Sequence, residues 1–153
     1  MYHWSAVTAA PADVGLVIPE NTVVFLAKDG TAVEGRTVYA FSADGTYLNY
    51  HRTTDANGRA VFALATGTQA KFRVSEHGAY HWSAVAAAPA NVLLDLPADT
   101  TCTVLRDGSP VAGLTVYAFS GDDTYLNYHR ATDVDGIATF ALAENQQVKF
   151  RVS

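Results

Sequence analysis

The sequence is short of the residues from which dedicated chemical sites are usually built. It holds one cysteine, Cys102, in 153 residues. An intrachain disulfide and a cysteine-based zinc site are therefore both excluded. Lys and Arg number 10 against 15 Asp and Glu, for a net charge of -5. Without a basic patch to neutralise phosphates, nucleic acid is not an expected partner. No apolar run approaches the roughly 20 residues that cross a bilayer, so membrane insertion is not expected either. Behind Met1 stands Tyr2-His3-Trp4-Ser5, with neither a basic stretch nor an apolar one after it, so a secretion signal is not expected within this sequence. No Ser or Cys sits in a nucleophile elbow and no carboxylate pair is marked out, so the chain is not expected to be an enzyme or to carry a cofactor.

What is abundant is apolar and aromatic. Hydrophobic residues make up 49%, with eight Tyr and seven Phe, while Gly and Pro are scattered rather than run together. That is the composition of a folded chain. Sliding the sequence against itself by 78 positions aligns residues 2–75 with 80–153 without a gap, and 46 of those 74 pairs are identical. YHWSAV recurs at Tyr2 and Tyr80, TVYAFS at Thr37 and Thr115, TYLNYHR at Thr46 and Thr124, and KFRVS at Lys71 and Lys149. Such a period marks an array of equivalent units. At the position of Cys102 the first copy has Val24, which points to a small buried strand residue.

Within one period the β-branched and aromatic residues alternate rather than recurring every three or four positions. Strands are expected at Val23–Ala27, Thr37–Phe41, Tyr47–Arg52, Ala60–Leu64, Ala70–Val74, Tyr80–Val85 and Val92–Leu96. Between them lie Lys28-Asp29-Gly30, Ser42 to Gly45, Asp55 to Gly58 and Glu76 to Ala79, rich in residues that accept positive φ or bond their own backbone. Seven short strands in about 75 residues describe a small β-sandwich. The fold class is all-β, as tandem Ig-like sandwiches.

Asp107-Gly108-Ser109-Pro110-Val111-Ala112-Gly113, then Thr132-Asp133-Val134-Asp135-Gly136 with Phe140, then Lys149 to Ser153, follow a pattern that resembles the carboxypeptidase regulatory-like, prealbumin-like group of Ig-like modules, which overlaps with bacterial surface Cna-B repeats. The resemblance covers most of each copy. It implies a spacer, stalk or surface repeat, hence an extracellular or cell-surface location. It also implies a phase: after KFRVS and a Gly turn, the same domain continues through YHWSAV to a last strand. Residues 20–98 then form one complete module, 1–19 are the closing strands of a preceding or neighbouring-subunit module, and 99–153 are a second module lacking its closing strands. Because Cna-B modules often carry an internal Lys–Asn isopeptide bond, Lys71 and Lys149 invite a check. Strand alternation sets them on the face opposite Phe72 and Val74, which argues for solvent-facing lysines.

An incomplete sandwich exposes apolar core and an unpaired edge. The expected remedy is strand addition, in which Tyr2, Trp4 and Val7, then Val14, Leu16 and Ile18, of one subunit complete the body carrying Phe150 and Val152 in the next. Repeated head to tail, that contact builds a filament. Two alternatives stay open: the chain is a two-repeat window of a longer covalent array, with neighbouring repeats as partners, or it closes on itself. A rival function is a carbohydrate-binding or adhesin module in which Tyr39, Phe41, Tyr47, Tyr50 and Trp82 stack on a glycan.

Metal is not expected. Asp55 and Asn57, and Asp133 and Asp135, are weak calcium candidates, since each loop shows two or three ligands where six or more are needed and hairpin turns explain them without an ion. Four of the five histidines are repeat mates, and only His77 is extra. His77 and His81 could meet across a hairpin, but two ligands do not make a zinc site.

Overall fold

The computed structural model describes Val7, Ala9 and residues 21–153. Of these, one compact unit holds the residues up to Val74 together with Tyr80–Asp95, and a second holds Ser75–Ala79 with Leu96–Ser153. The elements of the first copy are β1 (Asn21–Lys28), β2 (Thr31–Ala32), β3 (Thr37–Ser42), β4 (Tyr47–Thr53), β5 (Arg59–Ala63), β6 (Gln69–Glu76), β7 (Ala79–Trp82), β8 (Ala86–Ala87) and β9 (Asn91–Leu96). Two sheets result. In one, β1 pairs with β2, β5 and β9; in the other the order is β4-β3-β6-β7, with β8 also on β6.

The alternation read from sequence appears as alternation of burial. Val24 and Leu26 of β1, Val38 and Ala40 of β3, Phe62 of β5 and Phe72 and Val74 of β6 are all buried, while their strand neighbours, apart from Phe41 at the β3 irregularity, are not. The inward rings carry the contact between sheets. Phe62 meets Phe72 at 5.0 Å and Tyr50 at 5.1 Å between centroids. Each large apolar side chain so buried contributes about 1.5–3 kcal/mol relative to exposure. Tyr50 is the one polar ring in this core among the described residues, and its Oη accepts a hydrogen bond from the Ala63 N–H at 3.1 Å, which satisfies the buried phenol.

The expected strand Tyr80–Val85 stops at Trp82. Ser83 ends it, because its Oγ accepts the Phe72 N–H at 2.9 Å where a strand backbone carbonyl would otherwise stand. β2 and β8 were not expected, being two-residue pairings too short to show a period.

The second copy gives β10 (Asp99–Thr103), β11 (Leu105–Arg106), β12 (Ser109–Pro110), β13 (Thr115–Ser120), β14 (Tyr125–Ala131), β15 (Ile137–Ala141) and β16 (Val148–Val152). β10 pairs β15, and β13 lies between β14 and β16. Registers repeat at the 78-residue offset: Ala40 faces Phe72 and Ala118 faces Phe150, and the irregularity at Ala40/Phe41 recurs at Ala118/Phe119. The architecture is all-β and Ig-like in both copies.

Candidate assembly surface

Two near-identical sequences in the same registers form an internal comparison. On β6, Ala70, Phe72 and Val74 are buried; on β16 their mates Val148 and Phe150 are half-buried, and Val152 is 40% exposed where Val74 is 1%. On β1, Val24 and Leu26 are buried, whereas Cys102 and Val104 are half-buried. Phe41 and Tyr50 are buried, whereas Phe119 and Tyr128 are half-buried. Because backbone pairing is shared, local conformation does not account for the difference. It arises from what lies over the strands.

In the first copy the cover is β7 to β9. Val92 and Leu94 of β9 alternate inward and are buried, and Leu96 continues the alternation. β9 docks along β1, where the Val23 N–H donates to the Ala90 carbonyl at 2.8 Å. β7 docks along β6, and beyond it the Ser83 N–H donates to the Phe72 carbonyl at 2.9 Å. Among the described residues, no strand stands in the corresponding places beside β10 and β16. The second copy still keeps a core of Val116, Ala118, Ala138, Phe140 and Leu142, with Cys102, Val104, Leu126, Tyr128, Val148 and Phe150 around its rim.

Of the residues expected to assemble, Phe150 and Val152 lie on this partly open face. Val7 is fully exposed. Tyr2, Trp4, Val14, Leu16 and Ile18 lie outside the described residues.

The outer face of the β3–β6–β7 sheet carries a second pattern. The Arg73 guanidinium lies 4.2 Å from the Tyr80 ring centroid, 4.8 Å from Phe41 and 5.5 Å from both Tyr39 and Trp82, and Lys71 Nζ lies 5.1 Å from Trp82. Tyr47 Oη and His51 Nδ1 meet at 3.1 Å beside them. The second copy repeats the inner part of the ladder, with Arg151 5.4 Å from Tyr117 and 4.8 Å from Phe119, and Tyr125 hydrogen-bonded to His129. These are cation–π contacts worth about 0.5–1 kcal/mol each at exposed sites. Tyr50 is not on this face; it is in the core.

At the calcium candidates, Asp55 Oδ1 accepts the Asn57 and Arg59 N–H groups, both at 2.9 Å, and Asp133 Oδ1 accepts those of Asp135 and Ile137, again at 2.9 Å. Both loops are Asx-closed turns that lead from a strand of one sheet to a strand of another, not hairpins, and in each one carboxylate oxygen is already engaged. Lys71 stacks on Trp82 and Lys149 pairs with Asp123 at the surface. Burial pushes the Cys102 thiol above its ordinary pKa, which disfavours the reactive thiolate.

Sequence reading missed one cluster. Glu76, His77 and Asp99 bring a metal-binding type of donor atom within 4.8 Å of one another, all inside the second unit. His77 was singled out, and its partners in this cluster are Glu76 and Asp99.

No family model and no curated protein matches the chain. Solved structures do. The minor pilin GBS52 of Streptococcus agalactiae is 10% identical, aligned over 86% of this chain and 90% of its own, with a TM-score of 0.37. The shaft pilin SpaA of Lactobacillus rhamnosus GG is 14% identical over 86% of this chain and 75% of its own, with a TM-score of 0.35. The Bacillus anthracis TIE protein is 10% identical with a TM-score of 0.37; the match covers 92% of this chain but about a third of that one, 32%. These likenesses accompany the fold and carry no argument about function.

Proposed function

We propose that the protein is a structural repeat subunit of an extracellular fibre, stalk or cell-surface filament, in which a segment equivalent to β7–β9 completes each open module. The occupant of the 99–153 body is residues 2–18 of another copy. The observation that carries this reading is the exposure of Val152, Phe150, Cys102 and Val104 beside identical or similar mates that are buried under β7–β9.

The sequence of the proposed donor fits the place. Val14, Leu16 and Ile18 stand 78 positions before Val92, Leu94 and Leu96, so the inward apolar alternation is kept. Ser5 stands before Ser83 and supplies the hydroxyl that would receive the Phe150 N–H as Ser83 receives that of Phe72. Tyr2 and Trp4 stand before Tyr80 and Trp82 and would extend the ladder on Arg151 and Phe119. The contact is heterologous, so it propagates instead of closing into a pair. In this reading residues 20–98 are a self-sufficient module and 1–19 and 99–153 are two parts of another.

Light scattering on the purified chain across a dilution series tests the proposal. Mass rising with concentration in multiples of 16.3 kDa supports it. A strictly monomeric, fully folded sample contradicts it.

The exposed rings Tyr47, Tyr80 and Trp82 favour a second reading, a glycan-binding module. Arg73 and Lys71 already lie against most of these rings, which leaves fewer free faces for a sugar. Glycan binding lost on changing Tyr47 or Tyr125 would support that reading.

A further inference from the structure

The turn joining β6 to β7 is His77-Gly78, with φ of 48° and 84°. Positive φ at both central residues is the two-residue hairpin geometry that matches strand twist, and it usually takes Asn-Gly or Asp-Gly. The two-residue turns at Asp29-Gly30 and Asp107-Gly108 follow that preference. His is a less common choice, and it stands beside the buried Glu76.

Tyr128 holds this turn in place, its Oη donating to the His77 carbonyl at 2.9 Å. The imidazole is thereby presented to two carboxylates. His77 Nε2 lies 3.4 Å from Glu76 Oε1 and 3.0 Å from Asp99 Oδ1, with Glu76 4% exposed, His77 27% and Asp99 39%.

Those separations suit a hydrogen bond or the edge of a coordination polyhedron, and direction decides between them. His77 Nε2 is buried as an atom and makes no hydrogen bond of acceptable geometry with either oxygen. A buried imidazole nitrogen this close to two carboxylate oxygens but aimed at neither fits a ligand aimed at a common point. With metal–ligand distances of about 2.0–2.2 Å, the edges of a tetrahedral zinc centre are roughly 3.3 Å and those of an octahedral one roughly 2.9 Å.

We propose that Glu76, His77 and Asp99 form a three-ligand site for a divalent transition metal of the zinc class. One imidazole and two carboxylates are a donor set for zinc and its neighbours rather than for calcium, which takes six to eight oxygens. Three protein ligands leave a coordination position for water. The ion would tie the β6–β7 turn to the start of β10 within the second unit. Arg130 Nη1 comes close to Gly78, within 3.3 Å of where a Cβ would stand, and is a cation that the ion must tolerate.

The test is calorimetric titration of the chelator-treated full chain with zinc chloride, on the native sequence, His77→Gly and Asp99→Asn. Gly suits a φ of 48° at least as well as His, so the first variant keeps the turn. His3, His51, His81 and His129 remain in both variants and report any background binding. The expected result is one ion per chain in the native protein, with affinity falling in both variants by more than the roughly 10–100-fold that outer-shell changes produce. The native melting temperature should rise with zinc and that of His77→Gly should not. Absence of zinc binding by the native chain, or binding undiminished in His77→Gly, overturns the proposal. Neither outcome bears on strand addition, which is read from mass.

Discussion

Replacing Leu16 by Ala should weaken self-association far more than it affects the stability of either module. The magnitude follows from the residue 78 positions later. Leu94 is 2% exposed in β9, at a buried position of that strand's alternation. If Leu16 takes the same place over β10 and β16, its truncation deletes a buried leucine, a change that costs about 2–5 kcal/mol. At 1.4 kcal/mol per tenfold, that is a loss of association affinity of about 30-fold to several-thousand-fold. Leu94→Ala is the matched control. It removes the same atoms from inside the complete module, so it should lower melting temperature by an amount set by a similar 2–5 kcal/mol and leave affinity nearly unchanged. Sedimentation velocity across a hundredfold dilution, paired with thermal melts, reads both quantities. If Leu16→Ala associates at the same concentrations as the native chain, the inward placement of residues 14–18 is wrong.

The remaining predictions concern the modules themselves. Gly136 has φ of 73°, and a Cβ there would stand 2.7 Å from the Val104 carbonyl oxygen, so Gly136→Ala should destabilise the second module by more than the ~1 kcal/mol that positive φ alone costs, seen as a lowered melting temperature. Asp44 and Asp122 are held below the ordinary carboxylate pKa first by the hydroxyls of Ser42 and Ser120, then by the N–H groups of Thr46 and Thr124. Depressed carboxyls contribute stability above their unfolded pKa of about 3.9 and lose it as pH falls through the folded value, so melting temperature should drop below about pH 4 and Asp44→Asn with Asp122→Asn should flatten that drop.

Most strands were legible because inward positions alternate without interruption: Val24 and Leu26 in β1, Phe72 and Val74 in β6, Val92 and Leu94 in β9. The turns were legible for a related reason, since Asp55 and Asp133 close their own loops locally. Ser83 was not, because whether a serine hydroxyl replaces a strand carbonyl depends on the strand opposite. Tyr50 was grouped with exposed aromatics, yet its phenol is satisfied by Ala63 and its ring lies on Phe62, a pairing set by how the two sheets stack. The cluster at His77 depends on Asp99, 22 positions away by residue number and brought near by tertiary packing. The sequence offered His81 instead because it is close along the chain, but His77 occupies the turn and His81 lies four residues on, in β7. The different exposure of Val74 and Val152 could not be seen in identical KFRVS segments; only what covers them differs.

If residues 1–19 of one copy occupy the open face of the next, a covalent trap should catch them there. β9 meets β1 where the Val23 N–H donates to the Ala90 carbonyl, so the equivalent neighbours are Thr101 and Ala12. A chain with Ala12→Cys and Thr101→Cys, and with Cys102→Val to remove the native thiol, should oxidise into a ladder of multiples of 16.3 kDa on non-reducing denaturing gels and collapse to one band on reduction. A single monomer band before and after oxidation would contradict the account.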